Sequence, residues 1–155
     1  WQAAYGLPTV AFRFFNVYGP RQAAGHAYAA VVPAFVDRAL SGRPLVVYGD
    51  GQQTRDFTNV DSVTKVLLAA ATGFVTSDTP VNLAFGSRRS LLEVIAELES
   101  LLGHPLEVEF APERPGDVRD SQADNGLLLR LFPEAVPIPF RDGLASTVEW
   151  MRSGL

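Results

Sequence analysis

Hydrophobic and polar positions follow two rhythms along the chain, and they predict short strands alternating with helices. Thr9-Val10-Ala11-Phe12-Arg13-Phe14-Phe15, launched by Gly6 and Pro8, is nearly continuously apolar, as a strand buried on both faces of a parallel sheet is. A turn follows over Asn16-Val17-Tyr18-Gly19-Pro20. Val31 to Leu40 predicts a helix, with Pro33 tolerated in its first turn and Gly42 as its stop. Leu45 to Tyr48 reads as a short strand. Val63, Val66, Leu67 and Ala70 then recur at helical spacing, with Asp61 as the cap and an end near Gly73. Pro80-Val81-Asn82-Leu83-Ala84-Phe85-Gly86 is a second apolar strand. Ser90-Leu91-Leu92-Glu93 spells a capping box; the helix it opens buries Leu91, Val94, Ile95, Leu98, Leu101 and Leu102 and stops at Gly103. Leu106 to Phe110 alternates as a strand and leads into a loop from Ala111 to Asp120. Asn125 to Phe132 predicts a short helix, broken by Pro133, Pro137 and Pro139. Arg141 to Arg152 closes the chain as an amphipathic helix with Leu144, Val148 and Met151 inward.

This alternation argues for an α/β fold with parallel crossovers, and the absence of repeats or linkers for a single unit over residues 1–155. The strands Thr9–Phe15 and Val81–Ala84 are too apolar for an exposed edge. They call for neighbours beyond this chain, which predicts self-association by strand exchange.

Composition narrows the function. At 47% hydrophobic, 155 residues suffice for a real core. A formal charge of −4 offers no basic field for nucleic acid. The thirteen basic residues are twelve arginines and Lys65, and there is no cysteine, which excludes disulfides, thiolate nucleophiles and thiolate metal sites. His26 and His104 form no ligand-spaced cluster, so no metal is expected. No apolar run approaches the roughly 18 to 20 residues that span a bilayer. The start, WQAAYGLPTVAF, has neither an initiator Met nor a signal-peptide n-region. The expectation is a cytoplasmic piece of a longer enzyme.

Three polar constellations interrupt the apolar scaffold. Asn16 follows the first strand, at the carboxyl end where open α/β sheets bind ligands, although a turn Asn also bonds its own backbone. Gly49-Asp50-Gly51 precedes Arg55-Asp56, setting a guanidinium fork near uncovered main-chain N–H groups, a combination suited to a diphosphate. The local alternative is a hairpin turn with a surface Arg–Asp pair. Glu113-Arg114-Pro115-Gly116-Asp117 is a rigid turn that is either part of a site or a solvated salt-bridging loop. Two arginines and an amide on separate loops suit one anionic ligand. No dinucleotide fingerprint opens a helix, no Tyr–Lys pair at four-residue spacing exists (Asp61 stands four before Lys65), and no nucleophile elbow is present. No catalytic residue is therefore assigned.

Arg13-Phe14-Phe15-Asn16-Val17-Tyr18-Gly19-Pro20-Arg21-Gln22, the loop Gly49 to Phe57, the strand end Asn82 to Gly86 and the turn Arg114 to Arg119 together resemble the C-terminal half of the extended short-chain dehydrogenase/reductase family, in its NAD-dependent nucleotide-sugar epimerases of the UDP-glucose 4-epimerase kind. The resemblance implies the substrate-binding portion of a Rossmann-type epimerase: the last strands of its parallel sheet with a small α/β lobe. It implies that Phe15 touches the nicotinamide end of NAD and that Asn16 bonds the diphosphate–sugar region. Val47 and Tyr48 would line the uracil pocket, Arg55 and Arg114 would bind the diphosphate, and Asp117 the ribose or the arginine beside it. Asp61 is read as a helix cap. The implied reaction is reversible oxidation at sugar C4, interconverting UDP-glucose and UDP-galactose type sugars. The NAD loop and the Tyr–Lys pair of that family lie upstream of the Arg13 strand, so this chain alone is expected to be inactive. Two alternatives are a nucleotide-sugar 4,6-dehydratase and a non-catalytic nucleotide-binding remnant. The segment Asp124 to Pro139 departs from the family pattern and leaves the sugar unassigned.

Overall fold

The computed structural model describes residues 2–24 and 30–154; His26 and the first residue, Trp1, lie outside them. After a short helix α1 (Gln2–Tyr5) come strands β1 (Phe12–Phe14) and β2 (Val17–Tyr18), helix α2 (Val31–Leu40) and strands β3 (Leu45–Tyr48), β4 (Thr54–Asp56) and β5 (Thr58–Asn59). Helix α3 (Val60–Thr72), strands β6 (Val81–Leu83) and β7 (Arg88–Ser90), helix α4 (Leu91–Leu102), strand β8 (Val108–Ala111) and helices α5 (Gly126–Leu131) and α6 (Phe140–Ser153) complete the order.

Three strand pairs are parallel. Phe12 stands opposite Val81 in β1–β6, Val17 opposite Thr58 in β2–β5, and Leu45 opposite Val108 in β3–β8. The fourth pair, β4 with β7, is antiparallel. This is the expected α/β architecture, with parallel crossovers.

Two hydrophobic clusters hold it together. One joins α2, α4 and α6 to β3 through Val36, Leu45, Val94, Leu98 and Leu144, with the rings of Tyr18, Phe57 and Phe140 in edge-to-face and tilted contact at its edge. The other sets α3 and α5 on β1 and β6 through Val66, Val81, Leu83, Leu128 and Phe132. Burying each such aliphatic side chain fully contributes about 1.5–3 kcal/mol, which draws both sets of helices onto their strands.

Local signals explain most boundaries. The Ser90 hydroxyl accepts from Glu93 N at 3.2 Å, and Glu93 Oε2 accepts from Ser90 N at 2.7 Å, closing the capping box of α4. Gly103 ends that helix at φ 79°, a left-handed conformation that glycine adopts without Cβ strain.

Four expectations need correction. The cap of α3 is Asn59, whose Oδ1 accepts from Asp61 N at 2.9 Å; Asp61 sits in the first turn. Asn and Asp cap equally well, and the register of β5 with β2 decides between them. Leu67 is only partly covered, at 38% exposure, and does not join the core. The segment Asn16–Pro20 contains strand β2 instead of turning throughout. The β1 strand is not buried on both faces, because Phe14 remains 57% exposed. By contrast, Val81, Leu83 and Ala84 are sealed under α5 and β1.

Candidate functional site

A cavity of about 240 Å³ opens between α2, the ends of β2 and β3, strand β4 and the Arg114–Asp117 turn. Asn16, Tyr48, Arg55, Arg114 and Asp117 all line it. They come from three separate stretches of sequence, and tertiary packing brings them together.

Strand β3 supplies one wall by alternation. Leu45 and Val47 are fully buried in the core, so Val46 and Tyr48 take the opposite face. Val47 is therefore turned away from the cavity and Val46 lines it. Adjacent residues of a strand cannot share a face, and that rule singles out Val46 once Tyr48 is placed.

The glycine turn then redirects the chain into β4. Asp50 Oδ1 accepts from Gln52 N at 2.9 Å, and Gln53 Nε2 donates to the Tyr48 carbonyl at 2.6 Å. Gly51 has φ 75°, and a Cβ there would meet Leu92 Cδ2 at 2.7 Å. The turn thus lies flat against α4, where only glycine fits. Leu92 N donates to Gly51 O at 3.2 Å from that same contact.

Arg55 is held from three sides. Its Nη1 donates to the carbonyls of Thr54 at 2.9 Å and Arg119 at 3.3 Å, and its Nη2 to Asp117 Oδ1 at 2.6 Å. With the side chain only 15% exposed, the fork is preoriented. Arg114, by contrast, makes no side-chain hydrogen bond among the described residues. Its Cζ lies 3.8 Å from the centre of the Tyr48 ring, a cation–π contact that leaves its N–H donors uncommitted. Asp117 N donates to Arg114 O at 3.1 Å and Gly116 has φ 81°, so the Pro-Gly turn sets the guanidinium and the carboxylate at its two ends.

Asn16 joins this arrangement through a left-handed backbone, φ 35°, which Asn tolerates better than most residues. Its Nδ2 donates to Asp56 O at 3.2 Å. Asp56 itself is sealed from solvent, and its carboxylate accepts from Ser87 N at 3.0 Å and Ala123 N at 3.3 Å. Asp56 thereby ties the Asn16 loop to β4 through its backbone carbonyl, and the approach to β7 and the segment after Asp117 through its carboxylate. Phe15 is half-buried and lies outside the cavity lining.

Ion pairs at the rim fasten the 113–120 segment. Arg119 Nη2 reaches Asp50 Oδ2 at 2.8 Å, and Arg88 Nη2 reaches Asp120 Oδ1 at 2.6 Å. The Arg119 guanidinium holds the Asp50 carboxyl below its ordinary value, and the Thr54 hydroxyl, with Arg88, does the same for Asp120. All four side chains are solvated, so these pairs orient the segment more than they stabilise it.

The cavity also contains a tyrosine, Tyr18, whose hydroxyl donates to Phe140 O at 3.2 Å. Burial pushes its pKa far above the ordinary phenol value, so it stays protonated and serves as a wall. Further lining residues that sequence reasoning did not place here include Gln53, Phe57 and, on α2, Val31, Ala34 and Phe35. No single-position signal marks the α2 residues, whose apolar side chains look like any core face. Among the described residues no three His, Cys, Asp or Glu side chains converge to hold a metal ion, and no helix is long and apolar enough to cross a membrane.

Residues 1–84 match the family described as "NAD dependent epimerase/dehydratase family". Over 138 residues the chain is 36% identical to the UDP-glucose 4-epimerase of Mycolicibacterium smegmatis, covering 89% of this chain and 44% of that protein. It is 31% identical to the UDP-N-acetyl-alpha-D-glucosaminuronate decarboxylase of Bacillus cytotoxicus, covering 97% and 48%. Its fold superimposes on the crystal structure of a UDP-glucose 4-epimerase with UDP-glucose from Thermotoga maritima with a TM-score of 0.90 at 31% identity, over 99% of this chain and 48% of that one. The chain spans about half the length of the curated relatives it matches.

Proposed function

From a chain that belongs to the NAD dependent epimerase/dehydratase family, we propose the nucleotide-sugar-binding part of an enzyme that inverts a UDP-sugar at C4. The observation that carries this reading is the convergence of Arg55, Arg114, Asn16 and Tyr48 on one cavity. Arg55 and Arg114 take the diphosphate; the first is preoriented by Asp117 and the second is poised on the Tyr48 ring. Asn16 bonds the diphosphate–sugar junction, and Val46 and Tyr48 flank the base, with β3 main-chain groups at its edge. Asp117 takes the ribose or keeps Arg55 in place. Holding the ligand by its nucleotide leaves the sugar free to present either face, since affinity then lies remote from the reacting carbon.

The family's cofactor is NAD, which when bound supplies a reversible hydride acceptor. These residues fit it at one end only. Phe15 would meet the nicotinamide, whereas the Gly49–Gly51 turn opens strand β4, so it makes no helix-terminus cradle for the dinucleotide's phosphates. The proton-handling Tyr–Lys pair would come from outside these residues, because Tyr18 is sealed and Lys65 follows Asp61 at four-residue spacing. Residues 1–155 thus act as one binding unit that grips and orients the ligand. A decarboxylase at comparable identity supports the view that the grip on the nucleotide is set here and the choice of reaction elsewhere.

Calorimetric titration of the 155-residue chain with UDP and with uridine tests this reading, together with a turnover assay on UDP-glucose. Binding of UDP is expected without turnover, and Arg55→Ala or Arg114→Ala each weakens UDP by about tenfold or more, as loss of a charge-assisted hydrogen bond does. A folded wild-type chain that ignores UDP, or variants that bind it as well as wild type, would overturn the reading.

A further inference from the structure

The antiparallel ladder that carries Arg55 sets a second arginine directly across from it. In the register of β4 against β7, Arg55 pairs with Arg89, Asp56 with Arg88 and Thr54 with Ser90. Partners in such a ladder project from one face with Cβ atoms about 4.5–5.5 Å apart, and like charges so placed repel. Arg88, on the other face, shows how such a charge is usually satisfied. It reaches Asp120 at 2.6 Å and the Thr54 hydroxyl at 2.8 Å.

Arg89 has no equivalent. Its Nε is buried without a hydrogen bond, and among the described residues no carboxylate lies within ion-pair distance of it. Glu93, which feels its field, commits Oε2 to the Ser90 backbone N–H at 2.7 Å and hydroxyl at 3.0 Å. The Arg89 guanidinium instead lies 5.1 Å from the centre of the Phe140 ring. That ring packs on Tyr18 at 5.3 Å and on Phe57 at 5.6 Å, and both of these line the cavity. A guanidinium with no ion-pair partner among the described residues thus starts from the face of Arg55 and is held one aromatic ring behind the cavity wall. A half-buried cation without a counter-ion is costly, and an anion on this face removes the imbalance.

We propose that Arg89 is a third cation of the diphosphate site, acting through its field from behind the Phe140–Tyr18 wall. This rests on the nucleotide-sugar reading above. Arg55, Arg114 and Arg89 less Asp117 leave two positive charges. They match a diphosphate diester, which carries one negative charge on each phosphorus. Without Arg89 the site is one charge short. The inner wall that looks purely aromatic therefore also selects for the number of charges on the ligand.

The test is calorimetry on the 155-residue chain with UDP-glucose and with uridine at two salt concentrations, for wild type, Arg89→Gln and Arg89→Lys, alongside thermal unfolding. Arg89→Gln is expected to weaken UDP-glucose about fivefold to tenfold, to leave uridine unchanged and to reduce the salt dependence of binding. Arg89→Lys, which keeps the charge, is expected to stay within about twofold of wild type. Equal UDP-glucose affinity in Arg89→Gln overturns the proposal, and so does an equal loss of both ligands, which marks a disturbed fold. A folded wild type that binds no UDP-glucose overturns the nucleotide-sugar reading and this proposal with it.

Discussion

The cluster beneath the cavity closes on itself, whereas the one around β1 and β6 does not. In the first, α2, α4 and α6 pack pairwise against each other, and α2 also against β3, around one shared core. In the second, a two-stranded sheet is covered by α5 and α3, and Phe14, Leu68, Phe74 and Val136 stay largely exposed. Burial is the more complete in the first, where Phe110 on β8 is the large apolar side chain left exposed. Of the side chains lining the cavity, Val46 and Tyr48 stand on β3 of the first region and Arg55 on the β4–β7 ladder. Preorganised forks such as Arg55 need walls that do not move.

Truncating one fully buried leucine in each region is the strongest way to break this contrast. Leu144 and Leu128 are both inaccessible to solvent. Leu144→Ala is expected to cost about 3–5 kcal/mol and to impair UDP binding, and Leu128→Ala about 2–3 kcal/mol with binding retained. Urea unfolding with parallel titration reads both, and equal costs with equal effects on binding would erase the distinction.

Acid probes the closed region with a smaller effect. The Ser90 N–H and hydroxyl hold the Glu93 carboxyl below its ordinary value of 4.5. A carboxylate whose folded pKa is depressed contributes stability that is fully present above the unfolded value and lost as pH falls through the folded one. Stability is therefore expected to fall from about pH 4.5 downward, and more gently in Glu93→Gln. An unchanged slope in that variant would show that the capping box carries none of the acid response.

The smallest effect on stability belongs to Phe14→Ser. An exposed side chain contributes within about 0.5 kcal/mol, yet removing this ring is expected to reduce self-association, which light scattering across a dilution series measures. A wild-type chain that is monomeric at every concentration would show that the open region needs no partner strand.

Several elements were legible from local chemistry. Helix α4 was readable because Ser90, Glu93 and Gly103 act within one turn of the residues they cap. Strand β3 and helix α2 matched their expected bounds because Gly42 and the apolar run punctuate them. The β4–β7 ladder was not readable. Arg55-Asp56 and Arg88-Arg89 look like polar loops, and their pairing spans more than thirty residues, beyond any local pattern. The cap at Asn59 was missed for a related reason, since the β2–β5 register selects it over Asp61.

The sequence by itself determined the alternation of strands and helices, the capping box of α4, the family resemblance and the identity of the polar residues available to a ligand. Those properties are local, written in spacing and in individual side-chain chemistry. Only the tertiary structure decided that Arg55, Arg114 and Asn16 share one cavity, that Val46 faces it while Val47 is sealed in the core, and that Arg89 stands across from Arg55. Each of these depends on which face a strand presents and on its distant partner, and contacts between residues remote in sequence fix both.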